Sequence, residues 1–169
     1  NKSAGRSSVS YAWRRQCSAP ATGSKGSAML QAVDRRVAQA RNIGLRALIR
    51  AAGLDGKQLT AGRLGFILAP RLNAAGRLGH AIRGVELLLT EDEHTANAIA
   101  RELEELNYKR QEIDRWTLDQ ARERVLQMDL DDTFGIVLAD EAWHPGVIGI
   151  VASRLVEEFG RPTVLVALS

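Results

Sequence analysis

The twelve residues APRLNAAGRLGH, Ala69 to His80, hold Arg71, Asn73, Gly76 and Arg77. Two guanidiniums flanking a carboxamide make an oxyanion receptor, because each guanidinium offers a planar fork of N–H donors and stays charged. Phosphate is the anion this pattern suits. The same residues also fit a polar connector in which Asn73 and Gly76 shape a turn and the arginines face water. A second candidate is DEAWHPGVIGIVASRL, Asp140 to Leu155. There His144 and Pro145 open an apolar segment whose first turn leaves backbone N–H groups for an anion, and Gly146 and Gly149 allow close approach of a backbone or ligand. The structural alternative is that His144 caps the helix and the glycines permit tight helix–sheet packing.

Elements must hold both candidates. From Leu30 the pattern is helical, with Leu30, Val33, Val37 and Ala38 at helical spacing. Asn42 caps a segment GLRALIRAA that Gly53 ends; Thr60 caps a short helix through Leu68, and Pro70 stops it. Ile82, Val85, Leu88 and Leu89 form the apolar stripe of another short helix. Thr90 to Glu93 then reads as a capping box. Neither Gly nor Pro interrupts residues 91–128, which predicts a helix of about 55 Å at ~1.5 Å per residue. Its apolar face runs through Ala96, Ile99, Ala100, Leu103, Leu106, Ile113, Ala121 and Val125 without a lasting heptad, so a linker is favoured over a coiled coil.

Beyond Asp132 the pattern changes. FGIVLA at 134–139 reads as a strand, Val147 to Val156 as a helix closed by Gly160 and Pro162, and TVLVAL at 163–168 as a second strand. Strand, helix, strand over so short a span is one parallel crossover unit. Such a unit cannot bury its own faces, so the sequence is expected to stop inside a domain. Residues 1–29, rich in Ser, Gly, Ala and basic groups, read as irregular, with a short helix or strand at Ser10 to Arg15 and a basic nucleic-acid-touching tail as alternatives. The fold class is therefore α/β: a helical segment at 30–89, a long connecting helix at 90–128, and the start of an α/β domain at 129–169.

With 45% hydrophobic and 25% charged residues the chain has the balance of a globular protein. It contains no run of about 18 apolar residues and no leader-like apolar stretch, which argues against a membrane span or a secretory signal. The single Cys17 excludes an intrachain disulfide and reads as a plain thiol; a cytoplasmic protein is expected. The net charge of +3 is uneven: residues 1–41 carry eight Lys/Arg and one Asp, net +7, and residues 42–169 carry fifteen Lys/Arg and nineteen Asp/Glu, net −4. A nucleic-acid site in the second part must therefore be a local arginine cluster.

PRLNAAGR at 70–77, LLLTED at 87–92, WHPGVIGIVASRL at 143–155 and RPTVLVAL at 161–168, in this order, resemble the bacterial RecJ family over about residues 30–169. That resemblance implies a single-stranded-DNA-specific 5′→3′ exonuclease of the DHH phosphoesterase superfamily, acting in DNA repair and recombination. Residues 129–169 would begin its DHHA1 domain. It implies two Mn²⁺ or Mg²⁺ ions in the full-length enzyme, activating water and stabilising the leaving oxygen. Arg71, Asn73, Gly76 and Arg77 would position backbone phosphate, with His144 and Gly146 as a second contact across a cleft set by the long helix. The DHH metal motif itself is not in this sequence. His80, His94 and His144 are widely spaced, and the acidic pair Asp129 and Asp131 does not fit the family's metal pattern. No catalytic or metal-binding residue is assigned, and the isolated chain is expected to be inactive, monomeric and bound to single-stranded DNA.

Two other functions remain open: a superfamily phosphodiesterase for short oligonucleotides or cyclic dinucleotides, and a non-enzymatic nucleic-acid-binding module. The long helix argues for the exonuclease over the first. Trp143 suits either a base platform or a core anchor. Tyr108 and Trp116 read as packing residues, and His80 and His94 as solvated.

Overall fold

The computed structural model describes residues 8–12 and 41–168. In chain order these form β1 (Ser8–Ala12), α1 (Ile43–Ala51), α2 (Ala61–Arg63), a π-helical turn (Leu64–Leu68), α3 (Ala69–Leu78), α4 (Ile82–Leu89), α5 (Glu93–Leu126), β2 (Ile136–Asp140), α6 (Pro145–Phe159) and β3 (Thr163–Ala167). They fall into two compact units, Cys17–Lys109 and Asn1–Gln16 with Arg110–Ser169; α5 runs from the first into the second. The helix expected from Leu30 and the thiol of Cys17 lie outside the described residues.

In the helical unit Asn42 has two tasks. Its side-chain oxygen accepts from the Leu45 N–H at 2.8 Å, starting α1, and its amide donates to the Leu88 carbonyl at 2.6 Å, tying α1 to α4. The two helices touch so closely that a Cβ on Gly44 would stand 1.6 Å from the Leu87 carbonyl oxygen. Gly53, at φ +65, ends α1 as expected, since that left-handed conformation costs glycine least. Leu48 from α1, Leu87 from α4, and Ala96, Ile99 and Leu103 from α5 form the core, closed by Leu54, Leu59 and Leu68.

Three expectations about this unit need correction. Pro70 does not stop the helix: Ala61 to Leu78 is continuous. Within the π turn the Ala69 N–H reaches back five residues to the Leu64 carbonyl. This wider turn gives the proline ring space against the preceding carbonyls, and Pro70 lies in the first turn of α3, where a missing N–H costs least. The 70–77 motif is thus helical, and Gly76 is not among the glycines with positive φ. The box at Thr90 is displaced, because Asp92 caps α5 by accepting from the Thr95 N–H at 2.7 Å while the Thr90 hydroxyl accepts from the Asp92 N–H at 3.3 Å. Third, the stripe of α4 faces outward: Leu87 is buried, whereas Ile82, Val85, Leu88 and Leu89 are exposed.

Helix α5 has 34 residues, about 51 Å at ~1.5 Å per residue. Its ends bury alanine, leucine and valine, but its middle buries Asn107, Asp114 and Thr117. Tyr108 and Trp116, expected to pack, are 64% and 44% exposed, because the helix turns a polar seam inward between them.

In the α/β unit the strand order is β1-β3-β2. The crossover is confirmed: β2 runs parallel to β3, from Ile136↔Thr163 to Asp140↔Ala167, with α6 between them in sequence. Strand β2 begins later than expected and leaves Phe134 91% exposed. β1 pairs antiparallel on the far edge of β3, Ser8↔Ala167 to Ala12↔Thr163; it corrects the irregular reading for those five residues, and over Ser10 to Ala12 it is the strand alternative that is realised. A short run with weak periodicity becomes a strand through pairing with a distant partner rather than by its own propensity. Helix α6 packs on β3 and β1, buries Val147, Ile148, Val151, Leu155 and Val156, and ends at Gly160, φ +68.

Candidate nucleic-acid interface

The first candidate cluster is built on α3, in the helical unit. Arg71 does not face outward. Its Nη2 donates to Glu104 Oε1 at 2.9 Å, its Nε donates to Glu104 Oε2, and its Nη1 donates to the Ile67 carbonyl at 2.6 Å. The side chain is 14% exposed. The phosphate contact expected of Arg71 is therefore displaced: its guanidinium holds α3 to α5 instead. Asn73 and Arg77 are exposed and one helical turn apart, so they share a face of α3. Asn73 and Gly76 border a groove of about 320 Å³ walled by Val85 and Leu88 of α4. A Cβ on Gly76 would meet only the Ala81 methyl at 3.5 Å, an ordinary contact, so sterics do not require glycine here.

The second cluster lies at the N-terminus of α6, in the other unit. His144 is the cap: its Nδ1 accepts from the Gly146 N–H at 3.0 Å, and its carbonyl accepts from the Val147 and Ile148 N–H groups at 2.9 and 3.2 Å. The structural alternative for His144 is thus realised, and the Gly146 N–H expected for phosphate is directed at the imidazole. With Nδ1 accepting, a neutral ring carries its proton on Nε2, the edge left for a ligand.

Of the supports of this turn, the core-anchor alternative for Trp143 was open in the sequence, and its long-range partners were not. Trp143 is 2% exposed and is a core anchor, with the Arg124 guanidinium 5.3 Å from its ring centroid. Arg124 also donates to the Ala139 carbonyl at 3.0 Å and to the Asp140 carboxylate, fastening the end of β2 to α5. The Ala142 N–H, which donates to Asp140 at 2.8 Å, and then Arg124 hold that carboxyl below the usual aspartate range. Arg154 reaches the buried Asp114 at 3.0 Å, and Arg110 approaches the same oxygen at 3.5 Å. Asp114 joins α6 to α5.

A third concavity, of about 390 Å³, had no advance signal. Arg50 and Arg101 line it from α1 and α5, over the small side chains of Ala47 and Ala51. The long sequence separation between the two arginines hides the pairing.

His80 and His94 are exposed, as expected. The Asp129 side chain accepts from the Asp131 N–H at 3.1 Å and its carbonyl from the Thr133 hydroxyl, so this acidic pair closes a turn. Among the described residues no three His, Cys, Asp or Glu side chains come together to hold a metal ion, and these residues do not fit a two-metal centre. Nor is any described helix long and apolar enough to cross a membrane.

No protein-family profile matches the chain. It is 42% identical over 133 residues to the single-stranded-DNA-specific exonuclease RecJ of Bacillus subtilis, covering 79% of this chain and 17% of that protein. It is 46% identical over 126 residues to the RecJ of Thermus thermophilus, covering 74% and 18%. The chain thus spans less than a fifth of the length of these relatives. Among solved structures, exonuclease RecJ bound to manganese superposes with a TM-score of 0.72 at 42% identity, over 84% of this chain and 35% of that one. The Thermus thermophilus RecJ complex with Mg²⁺ superposes with a TM-score of 0.70 at 39% identity, over 83% and 22%.

Proposed function

The chain is RecJ-like over about four-fifths of its length, and from that premise we propose that it is the strand-positioning and connecting part of a metal-dependent, single-stranded-DNA-specific 5′→3′ exonuclease. The observation that carries this reading is identity of 38–46% to relatives named for that activity. The metal ligands belong to residues other than those described, so no hydrolytic step is assigned to this chain's own groups. Its contribution is to hold the strand. Asn73 and Arg77 meet successive phosphate oxygens from one face of α3, and Arg71 positions that helix through Glu104. In the α/β unit His144 offers a phosphate contact of its own through Nε2, with Gly146 keeping the imidazole oriented. Contacts of this kind are indifferent to base sequence and weaken with salt. The protein acts in the cytoplasm, as a monomer.

The test is direct. The purified chain is expected to bind single-stranded oligonucleotides in preference to duplex, by fluorescence anisotropy, and to release no nucleotide with Mn²⁺ present. Arg77→Ala should weaken binding about tenfold, the effect of losing one charge-assisted phosphate contact. Metal-dependent turnover by this chain would overturn the assignment of the ligands elsewhere, and equal affinity for duplex would overturn the single-strand reading.

A further inference from the structure

The concavity between α1 and α5 differs from the settings of three other arginines in the helical unit. Arg46 faces Glu93 at 3.5 Å, Arg71 faces Glu104, and Arg83 faces Glu86 and Glu102, so these cations are neutralised where they stand. Arg50 and Arg101 have no carboxylate partner among the described residues, yet they line one recess. A single residue orients both. The Asn97 side-chain oxygen accepts from Arg50 Nη2 at 3.2 Å, and its backbone carbonyl accepts from Arg101 Nε at 3.3 Å. Arg50 Nε and Nη1 and both terminal nitrogens of Arg101 take no part in these bonds. Ala47 and Ala51 make the floor. Small side chains there let a ligand reach the guanidiniums without displacing packing.

Two like charges oriented toward one recess repel each other, and an anion between them removes that penalty. The two non-bridging oxygens of a phosphodiester diverge from a tetrahedral centre and can meet two forks from different sides, whereas the coplanar oxygens of a carboxylate suit a single fork. We propose that Arg50, Arg101 and Asn97 form a phosphate-binding site, separate from the Asn73–Arg77 face, that takes a backbone phosphodiester of the bound DNA strand. The choice of a nucleic acid rests on the proposed function; the choice of phosphate rests on the recess.

The experiment follows the arginine Nε–H signals of the whole chain by NMR while inorganic phosphate, then a thymidine decamer, then an aspartate-rich peptide is added. The decamer should shift the Arg50 and Arg101 signals together. The Arg50→Gln/Arg101→Gln double variant should bind the decamer more weakly, with a log–log salt slope shallower by roughly 0.7 per lost phosphate contact. Both side chains are exposed, so the variant should melt with the parent. If the decamer leaves both signals in place, the site is overturned, and equally so if only the acidic peptide moves them. Anisotropy of the parent chain separates the two readings. Decamer binding without these shifts overturns the site alone; no decamer binding overturns the single-strand reading along with it.

Discussion

Arg71 illustrates what a motif can and cannot say about a side chain. Residue type and spacing marked it as an anion receptor, and it is one, but the anion is Glu104 of the same chain. The acid lies on another helix, so no local pattern revealed the pairing. Arg71→Ala should lower stability by about 1–2 kcal/mol, discounted for the half-open side of the pair, read as a drop in the urea midpoint. Arg71→Lys should restore little of it, because a point charge cannot replace the fork that also reaches the Ile67 carbonyl. His144 shows the opposite balance. Its place before Pro145 announced a helix start, and the cap is what the imidazole makes. Asn42 and Gly53 were equally legible, since caps are set by neighbours within a turn.

At the scale of the element, packing decides what sequence spacing leaves open. The apolar stripe of α4 was visible, but its direction was not. Gly44 brings α1 against the Leu87 carbonyl, and that contact turns Leu87 inward and leaves Val85 and Leu88 outside. Gly44→Ala should therefore force the two helices apart and cost about 3 kcal/mol or more, with loss of cooperative unfolding in the helical unit by circular dichroism. Pro70 misled because proline is read as a stop unless the turn before it is known to be wide. In α5 the buried Asp114 stands on a helix otherwise read from its apolar positions. Asp114→Asn should leave Arg110 and Arg154 facing an uncharged amide, and a loss of about 2–3 kcal/mol is expected from the shift in thermal midpoint. That seam was missed because a polar residue at helical spacing looks like a solvated face.

For the whole molecule, several carboxylates couple folding to pH in the same direction. The Thr95 hydroxyl and N–H hold Asp92 below the usual aspartate range. Arg83 holds Glu102 below the usual glutamate range, and Asp140 is held down as described. Each binds its proton less readily when folded than when unfolded, so its stabilisation is complete above the unfolded pKa, near 4, and lost as pH falls through the lower folded value. The thermal midpoint should be level between about pH 5 and 7 and fall below about pH 4; a midpoint that rises on acidification would contradict these assignments. The crossover unit and long helix were legible because strong periodicity and their order in the chain define them; β1 was not, because its partner stands at the other end of the described residues. That pairing also sets an order of events during synthesis. The unit from Cys17 to Lys109 is continuous in sequence and can close as it leaves the ribosome. The sheet must hold β1 in waiting until β3 emerges, so among the described pairings this one closes the longest loop and forms slowest.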